Sequence, residues 1–366
     1  MKKLRALFHT GIIGLIATGI SSPSLSADST DHSAIAQTLD TFLSEATAKD
    51  TFSGTVLLAK DGEVIYTTAR GLASKRFDVP MKLDTKLNLG SMNKMFTSVA
   101  IMQLVEQGKI SLTDTLDKFL DETWLPRAVS QKIEVQHLLT HASGLGSYFN
   151  EEFFGASKTR FINLEDYKPL IVNDTLAFEP GTGFRYSNTG MFLLGVIIEN
   201  VTGTTYFDHI KQSIYAPAGM ENSGCYEMDQ PVKNLAIGYT PNPDNRTGWN
   251  NNIYMHVLKG GPAGGCFSTV EDLHRFAATL VANTYLNAEN TQLLFVPKSE
   301  FHDNAYGYGF ISAGTADNRI TGHSGGFLGI NSNLDIFLDS GYVAVVMSNY
   351  GGAAQPIVAK IRELLE

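Results

Sequence analysis

The chain has 366 residues, 43% of them hydrophobic and 18% charged, with 34 Gly and 12 Pro. This is the composition of a globular protein with a sizeable core, and it excludes a disordered or collagen-like chain. The 28 Lys and Arg against 37 Asp and Glu give a formal charge of −9, so a basic surface of the kind that tracks phosphates is not expected, nor is nucleic acid as a partner. The length suits either two domains of ~150 residues or one interleaved enzyme domain.

Lys2, Lys3 and Arg5 precede an apolar run over residues 6–20, followed by the small residues Ser21, Ser22, Ser24, Ser26 and Ala27. That is the layout of an export signal, with cleavage after Ser26 or Ala27. The run is too short and too rich in Gly and Thr for a spanning helix. The expectation is a signal peptide over 1–26, a mature body over 27–366, a periplasmic or secreted location and no stable membrane insertion. No cysteine stands near the cut, so no lipid anchor is expected there.

Apolar residues Ile35, Leu39, Phe42, Leu43 and Ala46 recur with helical spacing over 34–49 and predict a helix with one face on a core. Two β-rich runs, 51–59 and 63–69, flank Lys60-Asp61-Gly62, a hairpin signal. From 91 to 107, Met95, Val99, Met102 and Val105 mark a second helix, with Gly108 as its stop. Residues 111–202 mix short helical runs with long loops, and 190–201 reads as a buried helix ended by Gly203. Ser268-Thr269-Val270-Glu271 reads as a capping box opening a helix through Leu280. Strand-like runs return at 306–312, 331–338 and 342–348, and a helix over 356–365 follows. The predicted fold is α/β (α+β): an antiparallel sheet built from both chain ends, about 30–90 and 260–366, flanked by helices and interrupted by a mostly helical insertion over about 91–259.

Only Cys225 and Cys266 occur. Exported chains meet an oxidising compartment, and the sequence leaves open whether this pair is bridged or forms two buried thiols.

Three short patterns carry chemistry. Ser91-Met92-Asn93-Lys94 places a Lys one helical turn after a Ser, where a buried amine of lowered pKa could take the hydroxyl proton. Tyr186-Ser187-Asn188 stands between Glu179-Pro180-Gly181 and a helix, although the same Tyr-x-Asn triplet occurs at Tyr148/Asn150 and Tyr285/Asn287. His323-Ser324-Gly325 lies on or near a strand. Together, and in this order, they resemble the β-lactamase and penicillin-binding-protein superfamily of serine hydrolases, nearest the class C β-lactamase, D,D-carboxypeptidase and esterase branch. Asn88-Leu89-Gly90, the run His137 to Leu145, Phe178 to Thr182 and Ala263-Gly264-Gly265 add to the likeness.

The resemblance implies Ser91 as the acylated nucleophile, Lys94 as its base and Tyr186 as proton relay. It implies Asn188, His323 and Gly325 as substrate-binding residues, and the backbone N–H groups of Ser91 and Gly326 as the oxyanion hole. It implies neither metal nor organic cofactor. His323 departs from the lysine that β-lactamases usually carry there, and neutral imidazole is a weaker anchor for a carboxylate. The expected function is hydrolysis of a D-residue peptide, amide or ester through an acyl-enzyme. The alternatives are a carboxylesterase or weak β-lactamase on the same site, and, from another class, a non-catalytic penicillin-binding or sensor module. The expected partner is a small molecule or peptide, with a monomer as the default.

Three other patterns are set aside. Gly322 to Gly326 fits the G-x-S-x-G nucleophile elbow, but no histidine follows His323 and a strand, not a helix, is expected after it. His137 and His141 stand at i, i+4 as a zinc pair would, yet Leu138 occupies the place of the required Glu. Tyr148, Phe149, Phe153 and Phe154 form an aromatic cluster suited either to a cleft wall or to core packing.

Overall fold

The structure, a computed structural model, describes residues 32–242, 244 and 248–365. The export signal expected over 1–26 lies outside the described residues, among which no helix is long and apolar enough to cross a membrane.

Six antiparallel strands form the main sheet: β1 (Gly54–Lys60), β2 (Glu63–Arg70), β3 (Ile311–Thr315), β4 (Asn318–Phe327), β5 (Ile330–Phe337) and β6 (Tyr342–Ser348). Their order is β2-β1-β6-β5-β4-β3, so strands from both chain ends meet at its centre, with Gly54 opposite Ser348 and Lys60 opposite Tyr342. The β1–β2 hairpin closes where Asp61 and Gly62 both take positive φ, 50° and 85°.

β5 and β6 are buried along their whole length, which explains their near-continuous apolar runs. Successive side chains of β1 alternate between two cores. Val56 and Leu58 pack with Leu39 and Leu43 of α1 (His32–Ala48) and Ile357 and Ile361 of α5 (Ala354–Leu365). Leu57 and Ala59 face the larger core, where α2 (Asn93–Glu106), α3 (Asn188–Thr202) and α4 (Val270–Val281) contribute Phe96, Leu194 and Phe276. Nearly every residue of α2 is buried, including Asn93 and Lys94, so this helix runs through the body and is not a surface amphipath.

Most elements lie where the sequence places them, with local differences. α4 is capped by Thr269, whose hydroxyl accepts from the Asp272 N–H at 3.2 Å; Ser268 is one residue too early and instead pairs with Ser223 at 2.7 Å. The strand expected over 306–312 begins only at Ile311, because Gly309 takes φ 76° and turns the preceding segment across the end of α2. The stretch read as a helical insertion also carries a small hairpin, Tyr239–Pro241 with Trp249–Asn251. Cys225 and Cys266 form a disulfide, with Cα atoms 4.2 Å apart.

Candidate active site

Ser91 sits in a 3₁₀ turn, Gly90–Met92, that leads directly into α2. Gly90 has φ 51°, and a Cβ there would fall 2.9 Å from the backbone nitrogen of Gly326, so glycine lets the turn press against β4. Gly325 lies closer still to its neighbour: a Cβ there would fall 1.9 Å from the Leu89 carbonyl oxygen, which also accepts from the Ser332 hydroxyl at 2.6 Å.

Asn88 ties the turn from below. Its Oδ1 accepts from the Gly90 N–H at 2.8 Å, and its Nδ2 donates to the Gly265 carbonyl at 3.0 Å and to Nε2 of His256 at 2.7 Å. The other ring nitrogen of His256 donates to the Val257 carbonyl at 2.6 Å, which fixes the tautomer, and burial lowers the pKa of the ring. Neither His256 nor the bridging role of Asn88 was legible as a site feature. The only signal was the Asn-Leu-Gly stretch before Ser91.

One turn along α2, Lys94 has no exposed surface, and burial brings its pKa down to about 7. Its Nζ lies 3.1 Å from Ser91 Oγ, 2.9 Å from Asn188 Oδ1 and 2.5 Å from the Ala263 carbonyl. Asn188 Oδ1 and the Ala263 carbonyl oxygen can only accept, so a neutral amine spends its two N–H bonds on them and keeps its lone pair for the Ser91 hydroxyl.

The segment 185–188 delivers Tyr186 and Asn188 to the same place. Ser187 caps α3, its hydroxyl accepting from the Gly190 N–H and donating to the Gly146 carbonyl, both at 2.8 Å. Asn188 opens α3 and donates to Ser147 Oγ at 3.1 Å. The ring centroid of Tyr186 lies 4.8 Å from Lys94 Nζ and 4.3 Å from the His141 ring. Burial raises the pKa of the Tyr186 phenol, while a hydrogen bond with Ser91 acts in the opposite direction. Tyr186 is nevertheless 39% exposed, so one side of the residue faces the open cleft.

His141 holds this segment. It accepts from the Arg185 N–H through its carbonyl at 3.0 Å and from the Ser187 N–H through Nδ1 at 3.2 Å. It is fully buried at φ 61°, with its Nε2 lacking a hydrogen-bond partner. His137 instead takes the Glu134 N–H within the helix cap and packs on Phe301. The two histidines do not face one site, and no cluster of three metal-ligating side chains occurs among the described residues.

His323 lies on β4, only 3% exposed. Its Nδ1 donates to the Ser324 carbonyl at 2.5 Å, which leaves Nε2 as acceptor for the Tyr306 hydroxyl at 3.0 Å. Burial and the nearby Lys94 charge lower its pKa to about 3. Both ring nitrogens are therefore engaged within the protein and the ring is neutral, and His323 is not among the residues that line the cavity at Ser91. Ser324 lies within the same strand, opposite Asn333, with no strand-to-helix turn to form a nucleophile elbow.

A cavity of about 280 Å³ opens at Ser91, walled by Asn88, Gly90, Ser147, Phe149, Asn188, His256, Val257, Ala263 to Gly265, Gly326, Phe327 and Ile330. The aromatic cluster is thus divided. Tyr148 and Phe153 are core, Phe154 is exposed, and Phe149 borders the cavity, its ring stacked 6.0 Å from that of Phe327. The Cys225–Cys266 bridge lies behind this wall: Cys266 accepts from the Leu89 N–H at 2.8 Å and donates its own to Asn93 Oδ1 at 3.1 Å.

The family model described as Beta-lactamase matches residues 39–365. The chain is 31% identical over 329 residues to "Penicillin-binding protein 4*" of Bacillus subtilis (strain 168), covering 85% of this chain and 71% of that protein. It is 25% identical over 381 residues to "Esterase EstB" of Burkholderia gladioli, covering 92% and 96%. Among solved structures, the penicillin binding protein from Bacillus halodurans superposes with a TM-score of 0.80 at 29% identity, over 87% of this chain and 98% of that one. The chain belongs to the Beta-lactamase family, whose fold and serine-hydrolase ancestry it shares.

Proposed function

We propose that the protein hydrolyses a carboxylic ester or amide through an acyl-enzyme on Ser91. Ser91 Oγ attacks the carbonyl carbon as its proton passes to Lys94 Nζ. The oxyanion is held by the backbone N–H groups of Ser91 and Gly326. Tyr186 hands a proton to the departing alcohol or amine and is reprotonated from Lys94. Water then attacks the ester, and Ser91 recovers its proton as the acid leaves. Asn188 keeps the amine aimed at Ser91.

The observation that carries this reading is the buried Lys94 amine, 3.1 Å from Ser91 Oγ with both other partners acceptor-only. Of the substrates open at the sequence level, the sealed ring of His323 favours a neutral ester or amide over a D,D-peptide or β-lactam, which present a carboxylate to be held. The basic and apolar residues 2–20 and the Cys225–Cys266 bridge support an exported, periplasmic or secreted enzyme.

The test is labelling with a fluorophosphonate and turnover of p-nitrophenyl acetate. Both are expected in the wild type and absent in Ser91→Ala. An unlabelled wild type would favour a non-catalytic binding module, and activity surviving in Ser91→Ala would overturn the assignment.

A further inference from the structure

The cavity and the proton relay stand on different sides of the nucleophile. Ser91, Asn188 and Gly326 border the cavity, whereas Tyr186 and His323 stand outside its lining. A relay that protonates the leaving group must face it, so the leaving group lies on the Tyr186 side and the cavity receives the acyl group. We propose that this cavity is an acyl pocket for uncharged, apolar acyl groups, a specificity that rests on the acyl-enzyme reading above.

The walls argue for it. Phe149 and Phe327, brought within 6.0 Å of each other from the insertion and from β4, form an aromatic pair at the cavity, with Val257 and Ile330 beside them. Among the described lining residues there is no Lys, Arg, Asp or Glu. The one titratable ring in the lining, His256, is neutral, with one nitrogen donating to a carbonyl and the other accepting from Asn88. The polar atoms of Asn88 and Asn188 are likewise committed to the Ser91 turn and to Lys94. A carboxylate or ammonium carried on the acyl chain would lose its water and find no counter-charge, whereas a methylene chain or phenyl ring would gain apolar contact on both aromatic faces.

The apolar character continues outward. Leu328 follows Phe327 and is 42% exposed, and Tyr254 and Met255, just before His256, are 87% and 42% exposed.

The experiment compares p-nitrophenyl esters that share a leaving group and differ only at the far end of the acyl chain: hexanoate against its ω-carboxylate counterpart, the adipate half-ester, and its ω-ammonium counterpart. The proposal expects kcat/KM for hexanoate to exceed both charged esters by about 100-fold. Equal or faster turnover of either charged ester overturns it. Phe149→Arg, at a half-buried position, is expected to raise the adipate-to-hexanoate ratio by at least about 10-fold, with thermal unfolding confirming that the variant is folded. An unchanged ratio in a folded variant also counts against the pocket. Failure of the underlying chemistry reads differently: fluorophosphonate labelling and acetate turnover would be lost for every acyl group, or would survive in Ser91→Ala.

Discussion

Tyr306 donates its phenolic hydrogen to Nε2 of His323 across 3.0 Å, and the opposite ring nitrogen of His323 donates to the Ser324 carbonyl. Seventeen residues apart in the chain, the two form a buried polar unit in the wall of the cleft. Tyr306→Phe leaves a buried acceptor without a donor and is expected to cost about 1–3 kcal/mol of stability. Urea unfolding measures it, and a change within ~0.5 kcal/mol would remove the unit from the account.

Lys94 must be neutral to accept the Ser91 proton, so kcat/KM for acylation should rise with pH along a limb centred near its pKa of about 7. Stability carries the same signature. Above about 7 the native amine is deprotonated while the unfolded one holds its proton to ~10.4, so stability rises with pH across that window. Lys94→Met should therefore abolish activity, and its gain in melting temperature over wild type should be largest below pH 7 and shrink toward pH 10. A constant difference would contradict the buried amine.

Tyr186→Phe removes the phenol but keeps the ring that packs on His141 and Lys94. Loss of the relay is expected to lower kcat by about 100- to 1000-fold with little change in KM for an ester, and with the fold intact. Stopped-flow acylation and thermal unfolding check the two halves of this statement.

His141, His256 and His323 are all fully or nearly buried and have lowered pKa values, about 3 for His323. The unfolded chain takes up protons near ~6.5 that these native rings resist, so stability is lost as pH falls below that value, by about 1.4 kcal/mol per unit for His323 between ~6.5 and its own pKa of about 3. Calorimetry should show the melting temperature dropping between pH 6.5 and 4. His323→Gln should flatten the slope by about one proton.

The Cys225–Cys266 bridge spans 41 residues. By loop entropy its removal should cost about 4 kcal/mol. Because Cys266 holds Leu89 and Asn93 on either side of the nucleophile, Cys225→Ser should also lower kcat, and reduction with dithiothreitol should do the same to wild type. Stability lost without any loss of activity would separate the bridge from the site.

The fold was readable wherever a local rule decides the structure. Asp61-Gly62 dictates the hairpin, Gly203 in the left-handed region ends α3, and the apolar spacing over 91–107 marks α2 as a helix, though not its burial on every side. The ordered motifs likewise named Ser91, Lys94, Tyr186 and Asn188, which the fold brings to one place although Ser91 and Tyr186 stand far apart in the chain. What was not readable depends on contacts between distant segments. The pairing of Cys225 with Cys266, the hold of His256 on Asn88, and the closing of His323 by Tyr306 leave no periodicity and no spacing. The cap of α4 was missed by one residue because Ser268 and Thr269 are equally good caps locally; Ser223 and Asp272, from opposite sides, decide between them.

β1 lies beside β6, so Gly54 finds its partner only when Ser348 has been made. Such pairing raises the contact order, and the central strands cannot close until residues through Ser348 are available. Gly326, which completes the nucleophile's surroundings, arrives equally late. A chain cut short of Ser348 would therefore carry Ser91 and Lys94 without the strand that β1 needs beside it.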